Sequence, residues 1–491
     1  MTARTGAQYK AGLADNRWVR LGDKDINVLT DPATVGSVAG MAGYFDWQNR
    51  HAGDCLVPDP VTGAPMNASH IVPRNKEDLA LRHRAFERLS QYSYGMLGRT
   101  PDYVNVTLAG FVARGDVFTR NGDATAAERI TRFQREVIEG DLSMTHTIIQ
   151  PAIDRGVGEV SGLNAELALR IVGRNKNGVI VRGAKILATL GPFADELFVY
   201  PAGPLPPGTP AEYAVCFSIP MSTKGLLTVC RDHTGLEGSV RDHPFSSRFD
   251  EQDAYMIFDD VEVPYERLFI DADIELYNGL RRAGWAANVF QQTSIRAAVK
   301  LEYAYDLCTR MARVMNAESR PEVSIMLGEI WCYAQLTRAA TAAGEAGAHD
   351  NGNGAFFLDD RPLRAIRGLM PNWMVRVNEI IKALGSHNLL ATPTLGSFDD
   401  PVVGPLLAQF MPGANGISGK ERAEVFRAAW DFAGSALGSR VELYERFYLG
   451  SQAKNFSREH MQTMGETGGK GFGRFDSFLA ETALLASEPR K

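Results

Sequence analysis

The spacing of apolar positions changes twice along the chain. From about residue 75 to 145 it is helical. Leu79, Phe86, Leu89 and Met96 follow Asn75, a capping residue, and Ile130, Phe133 and Val137 follow Thr125 and Glu128, a T-x-x-E pair that predicts a capping box. Between about 167 and 270 the runs shorten. LALRIV, the turn pair Asn177-Gly178 and VIVRGAKIL predict a β-hairpin, and ELFVY, EYAVCFSI, LLTVC and AYMIFDDVEV predict further strands. Short strands broken by Gly, Pro and Asp turns predict a small barrel or sandwich. The Pro/Gly-rich stretch 201–212 reads as a surface loop between two of them. After about residue 275 helical spacing returns, at Ile295, Val299, Tyr303, Leu307, Met311 and Val314, and again at Phe426, Trp430, Ala433 and Leu437. Long amphipathic helices of this kind pack as bundles. The stretch after Ser451 is Gly-rich and weakly patterned, and it receives no assignment.

This α, β, α order is not a doubly wound sheet. No strand, glycine turn and helix carry the G-x-G-x-x-G spacing, which argues against a Rossmann unit for a nicotinamide dinucleotide. GETGGKG at 465–471 has one residue too few between its glycines for a P-loop, lacks the Ser/Thr that would hold magnesium, and follows no apolar strand.

Composition narrows the classes further. The 491 residues are 45% apolar and 22% charged, with a formal net charge of −6. The length allows two to four domains or one large subunit, and the mildly acidic balance offers no general attraction to nucleic acid or anionic membrane. Five dispersed cysteines without a C-x-x-C pair argue against a disulfide framework and against a local zinc site. No segment approaches the ~20 apolar residues of a membrane span, and the N-terminal stretch lacks a signal-peptide core. A cytoplasmic location is the expectation, with the sequons at Asn67, Asn105 and Asn455 as chance matches.

Nine histidines include no H-E-x-x-H and no i, i+4 pair, so no metal site is expected. His146 stands where helical spacing gives way to strands, a place where pockets form between sections. By itself it reads first as a partly buried histidine bonded to a backbone carbonyl, ahead of a functional one. In GMLGRTPDYVN, residues 95–105, Arg99 follows a glycine, Pro101 interrupts the helical pattern and Tyr103 comes four residues after the arginine. An arginine on a constrained turn can fork to an anion, and a tyrosine can donate to or accept from a phenolic or flavin oxygen. By spacing alone the stronger reading is a helix-breaking loop with a surface arginine.

Five ordered blocks decide between these readings: GMLGRTPDYVN, DLSMTHTIIQPAIDR, VRGAKILATLGPFADELFVYP, RDHPFSSRFDEQDAYMIFDDVEVPYERLFI and SALGSRVELYERFYLG. Together they resemble the 4-hydroxyphenylacetate 3-monooxygenase oxygenase-component family over nearly the whole chain. The resemblance implies an α+β, acyl-CoA dehydrogenase-like fold: an N-terminal helical domain (1–146), a middle β-barrel (147–274) and a C-terminal four-helix bundle with its tail (275–491), assembled as a homotetramer. It further implies that a separate NAD(P)H:flavin reductase supplies FADH2, that dioxygen is the co-substrate, and that a C4a-hydroperoxyflavin hydroxylates a phenol ortho to its hydroxyl. The absence of a Rossmann unit agrees with that division of labour.

By the same resemblance Arg99, Tyr103 and His146 form the catalytic and substrate-binding trio. His146 would act as base or hydrogen-bond acceptor toward the phenol, Arg99 would stabilise the developing phenolate, and Tyr103 would orient the ring or the peroxide. Ala152 to Arg155, Thr189, and Gly450, Ser451, Gln452 and Ala453 match positions near FAD, with Arg155 the partner for phosphate. Two departures stand out. Ala202 and Gly203 replace a Ser-Thr pair that holds a substrate carboxylate, which implies a larger or less polar phenol, free or tethered to a carrier protein. Gln291-Gln292 replaces a His-Gln pair, removing a second histidine base.

Rival readings fare worse. The 4-hydroxybutyryl-CoA dehydratase branch of this fold would require cysteines where Arg99 and Tyr103 stand, and a histidine between His243 and His349. An acyl-CoA dehydrogenase would need a flavin-side carboxylate base that nothing in the sequence identifies. A non-enzymatic helical scaffold would need a repeat period, and none is found.

Overall fold

The computed structural model describes residues 3–119, 123–235, 239–280 and 283–487. Helices dominate the first third and the chain after Ile274, with most strands between. Asn75 caps the helix Lys76–Gln91 through its side chain, as its sequence predicts, but the helix stops before Met96. The helix Ala126–Gly140 also forms, without its capping box. Asp123 takes over the Thr125 hydroxyl at 2.9 Å, and the Thr125 oxygen accepts from Arg129. Pro101 does not break a helix; it begins one, Pro101–Ala113. At the first helical position its missing N–H costs nothing and its φ is already helical. That helix is buried on nearly every side.

The strands form two sheets, not the expected barrel. One has six strands, ordered from Lys24–Asp25 through Trp18–Leu21, Leu226–Cys230, Asp253–Pro264 and Gly178–Thr189 to Arg170–Arg174. The other runs Leu268–Asp271, Val215–Pro220, Glu196–Val199, Met144–Thr147. No closed barrel exists among the described residues. Among the described residues the backbone pairing between the two sheets is limited to an isolated bridge, Ile149 with Ile186, so they do not join into one closed ladder. The predicted hairpin is present, with Arg170–Arg174 antiparallel to Gly178–Thr189. The strand Trp18–Leu21, which no alternation announced, pairs parallel with Leu226–Cys230 and ties the N-terminal segment into the larger sheet. Alternate residues Ala254, Met256 and Phe258 are buried, the pattern of a sheet with one face on the core. Phe258 meets Phe217 of the smaller sheet edge-on.

The long helix Trp285–Val314 packs against Pro321–Ala346, Arg361–Gly385 and Gly419–Ala433, and also against the N-terminal helices Lys76–Gln91 and Pro101–Ala113. It is thereby the beam against which both ends of the chain are laid. The stretch after Ser451 holds two helices, Gln452–Glu466 and Arg474–Ser487. The sequon asparagines Asn67, Asn105 and Asn455 are buried, and the five cysteines are free thiols. Among the described residues no helix is long and apolar enough to cross a membrane.

Candidate active site

The loop from Tyr94 to Thr100 is built to hold one arginine. Gly95 has φ +72°, and a Cβ there would lie 2.7 Å from the Lys300 Cβ, so the loop lies flat on the long helix only because this residue is glycine. Arg296 of that helix donates to the Gly95 carbonyl at 2.7 Å. Glu251 then accepts from the N–H groups of Gly98 (2.7 Å) and Arg99 (2.6 Å), and Arg440 holds the other Glu251 oxygen at 2.6 Å. The expected surface arginine is in fact 7% exposed. Its guanidinium carbon lies 3.9 Å from the centre of the Tyr103 ring, and its Nη1 donates to the Tyr444 hydroxyl at 2.5 Å.

Tyr103 falls in the first turn of the helix that Pro101 starts, and its ring stacks on His146 with centroids 5.3 Å apart and planes 29° apart. His146 sits on the strand Met144–Thr147, which runs parallel to Glu196–Val199 with His146 opposite Phe198. The chain leaves that second strand at Tyr200, whose ring also stacks on His146, at 5.4 Å and 25°. The His146 Nδ1 is buried without a hydrogen-bond partner.

These placements fix the charges. Burial, reinforced by the Arg99 cation, holds His146 well below the ordinary histidine range, so its ring is neutral at pH 7. Burial opposes the Arg99 charge, but Tyr103 and Tyr444 outweigh it and raise its pKa. A fixed cation and a neutral imidazole therefore share one buried space. Such a pair can accept a proton from a phenol and hold the resulting anion.

The other predicted residues are placed less uniformly. Thr189 joins the group: its carbonyl accepts from Thr145, next to His146, and its hydroxyl donates to Asp253 at 2.8 Å. Arg440 bridges Asp253 and Glu251, so Thr189 is linked through two carboxylates to the Arg99 backbone. Ala152 and Arg155 lie on the loop that follows the His146 strand, which the buried Asn164 pins through Asp154 and Gly158. Arg155 is exposed and makes no ion pair among the described residues. Ala202 and Gly203 are half-buried on the loop beyond Tyr200, and a Cβ at Gly203 would meet open space. Gly450, Ser451, Gln452 and Ala453 open the helix Gln452–Glu466, where Ser451 is the cap and Gln452 accepts from Asn372. No hydrogen bond or ring contact joins these four to the Arg99–His146 group among the described residues. Gln291 and Gln292 are buried and structural: their amides donate to Leu79, Glu345 and Asp102.

Sequence reasoning passed over Tyr200, Glu251, Arg440 and Tyr444. The signal was present for the last two. Arg440, Tyr444 and Tyr448 recur at four-residue spacing, one face of a helix, and that face turns toward Arg99.

The mixed helix-and-sheet fold and the buried arginine, tyrosine and histidine define a class that the comparisons make specific. Models of the 4-hydroxyphenylacetate 3-hydroxylase N-terminal and C-terminal regions match residues 5–270 and 281–461. The chain belongs to this family. It is 34% identical over 459 residues to the 4-hydroxyphenylacetate 3-monooxygenase oxygenase component of Thermus thermophilus, covering 92% of this chain and 93% of that one. It is 30% identical over 456 residues to the oxygenase component of a Rhodococcus 4-nitrophenol 2-monooxygenase, covering 91% and 86%. Among solved structures it resembles the HpaB oxygenase component complexed with FAD and 4-hydroxyphenylacetate, with a TM-score of 0.90, 31% identity and coverage of 99% and 100%. An archaeal 4-hydroxybutyryl-CoA dehydratase, at 18% identity and a TM-score of 0.86 over 100% of this chain and 96% of that one, shares the fold.

Proposed function

We propose that this protein is the oxygenase component of a two-component flavin monooxygenase that converts a phenol to a catechol. A separate NAD(P)H:flavin reductase delivers FADH2, and dioxygen is the second substrate. The observation that carries this reading is the buried contact of Arg99, Tyr103 and His146, a cation and a neutral base placed together, in a chain of this family. Bound reduced flavin with dioxygen supplies an electrophilic oxygen atom. The chain's own part is to make the phenol electron-rich: a ring nitrogen of His146 takes the hydroxyl proton, Arg99 holds the phenolate oxygen, and Tyr103 sets the ring's orientation.

The residues fit a flavin. Arg155 is an exposed guanidinium with no ion pair among the described residues, suited to a pyrophosphate, and the His146 Nδ1, without a hydrogen-bond partner among them, leaves a polar position for a ligand. Ala152, Arg155, Thr189, Gly450, Ser451, Gln452 and Ala453 are the FAD-binding set of this reading. Ala202 and Gly203 line the far end of the substrate and offer no side-chain hydrogen bond, which favours a phenol larger or less polar than 4-hydroxyphenylacetate. The reading also includes three sections, 1–146, 147–274 and 275–491, a homotetramer and a cytoplasmic setting.

Purified protein given chemically reduced FAD and oxygen is expected to add one oxygen atom to members of a phenol panel, detected by mass. If no phenol gains oxygen and none changes the rate of FADH2 oxidation, the proposal is wrong.

A further inference from the structure

We propose that Tyr444 is a positioning residue for phenolate binding: its hydroxyl holds the Arg99 guanidinium over the Tyr103 ring, where that charge faces the substrate oxygen. This rests on the phenol-site reading above and adds a residue to it from the far end of the chain.

The argument is geometric. Arg99 has a long flexible side chain, and its backbone is already fixed by Glu251. Backbone anchoring does not choose a rotamer. The Nη1 hydrogen bond to the Tyr444 hydroxyl at 2.5 Å does, and the same hydroxyl donates to the Gly98 carbonyl at 3.2 Å. The oxygen therefore has one acceptor role and one donor role, both filled by the two residues at the tip of the loop. Burial keeps the Tyr444 phenol protonated, so its donor role persists at neutral pH. Tyr444 is itself immobile: its ring stacks on Tyr448 with centroids 4.7 Å and planes 11° apart, and a Cβ on Gly98 would strike that ring at 2.4 Å. Arg440, one turn earlier on the same helix, secures Glu251. One helix face thus fixes both the backbone and the side chain of Arg99. The guanidinium lies over Tyr103, the first ring of the stack that continues through His146 and Tyr200, and a phenolate placed beside that stack meets a charge whose position has been settled beforehand.

The probe is 4-nitrophenol, whose phenolate absorbs in the visible and so reports its own ionisation when bound. The full-length protein is titrated with it across pH as wild type, Arg99→Ala, Tyr444→Phe and the double variant. Wild type is expected to bind the phenolate preferentially. Tyr444→Phe is expected to weaken phenolate binding about tenfold, the size of one hydrogen bond to a charged group. In the Arg99→Ala background the same change is expected to do almost nothing, because Tyr444 acts through Arg99. Equal phenolate binding by wild type and Tyr444→Phe, or an undiminished effect in the Arg99→Ala background, overturns the assignment of Tyr444 alone. Phenolate binding that survives Arg99→Ala, or is missing from wild type, overturns the phenol-site reading together with it.

Discussion

Glu445→Gln is the sharpest test of how the loop that carries Arg99 is held. Glu445 is 2% exposed and accepts from Arg296 at 2.8 and 3.1 Å and from Lys300 at 3.0 Å. Burial alone would push this carboxyl up, yet the two cations hold it down to about 2, against an ordinary 4.5. At about 1.4 kcal/mol per unit, that depression corresponds to about 3 kcal/mol of folding stability. It is fully present above pH ~4.5 and lost as pH falls toward 2, since the unfolded chain takes up the proton first. Glutamine keeps the shape and one acceptor but leaves two buried cations unpaired, a change that costs about 3–5 kcal/mol in comparable sites. We expect a loss of about 3 kcal/mol at pH 7, measured by guanidinium unfolding. Lys300, already lowered by burial, loses in the variant the carboxylate that opposed that lowering, so its pKa falls further. Its native pKa then lies further below its unfolded one, so the variant regains stability, and the deficit shrinks, as pH rises toward the unfolded lysine value of about 10.5. A loss under about 1 kcal/mol, or a deficit that grows with pH, would refute this account of the cluster.

His146→Ala should lower hydroxylated product by about two orders of magnitude while FADH2 consumption continues, with free hydrogen peroxide replacing product; an unchanged product-to-peroxide ratio removes the base assignment. Gly95→Ala places a Cβ 2.7 Å from the Lys300 Cβ and 2.8 Å from the Arg296 carbonyl at a positive φ, and should cost about 2–4 kcal/mol in thermal or denaturant unfolding. Lys185 is 2% exposed, and burial lowers its pKa to about 7. Lys185→Met should therefore stabilise the fold, by on the order of 2 kcal/mol at pH 7, with the gain vanishing as pH approaches the unfolded lysine value of about 10.5. Unfolding curves at three pH values check both the sign and the trend.

The order of helices, strands and helices was legible because it rests on apolar periodicity, which survives without tertiary context. What periodicity does not encode is closure. The same alternating strands serve a barrel or two sheets, and the outcome turned on where Met144–Thr147 and Trp18–Leu21 pair, both parallel and both distant in sequence from their partners. Thr125 shows the same limit at small scale: its spacing to Glu128 suits a capping box, but Asp123, two residues earlier, competes for its hydroxyl. For the site, Arg99, Tyr103 and His146 were found through ordered motifs, since their spacing alone read as a loop and a lone histidine. Arg440 and Tyr444 were visible as a helical face and lacked only the knowledge of what that face touches. Glu251 had no signal at all; a buried carboxylate is meaningful only once the two N–H groups it receives are known.

The contact between Arg99 and Tyr444 joins positions 345 residues apart. Closing so long a loop is slow and rewards the chain only when both ends are already ordered. As the protein emerges from the ribosome, the loop that presents Arg99 comes out early with its glutamate, its helix beam and its tyrosine clamp still unmade. The two sheets can collapse before that, but the arginine has no fixed position until the helix Ala436–Phe447 docks. On the proposed reading, competence to bind a phenolate is therefore among the last properties the chain acquires, and an incomplete or misdocked molecule would lack the fixed cation on which that binding rests.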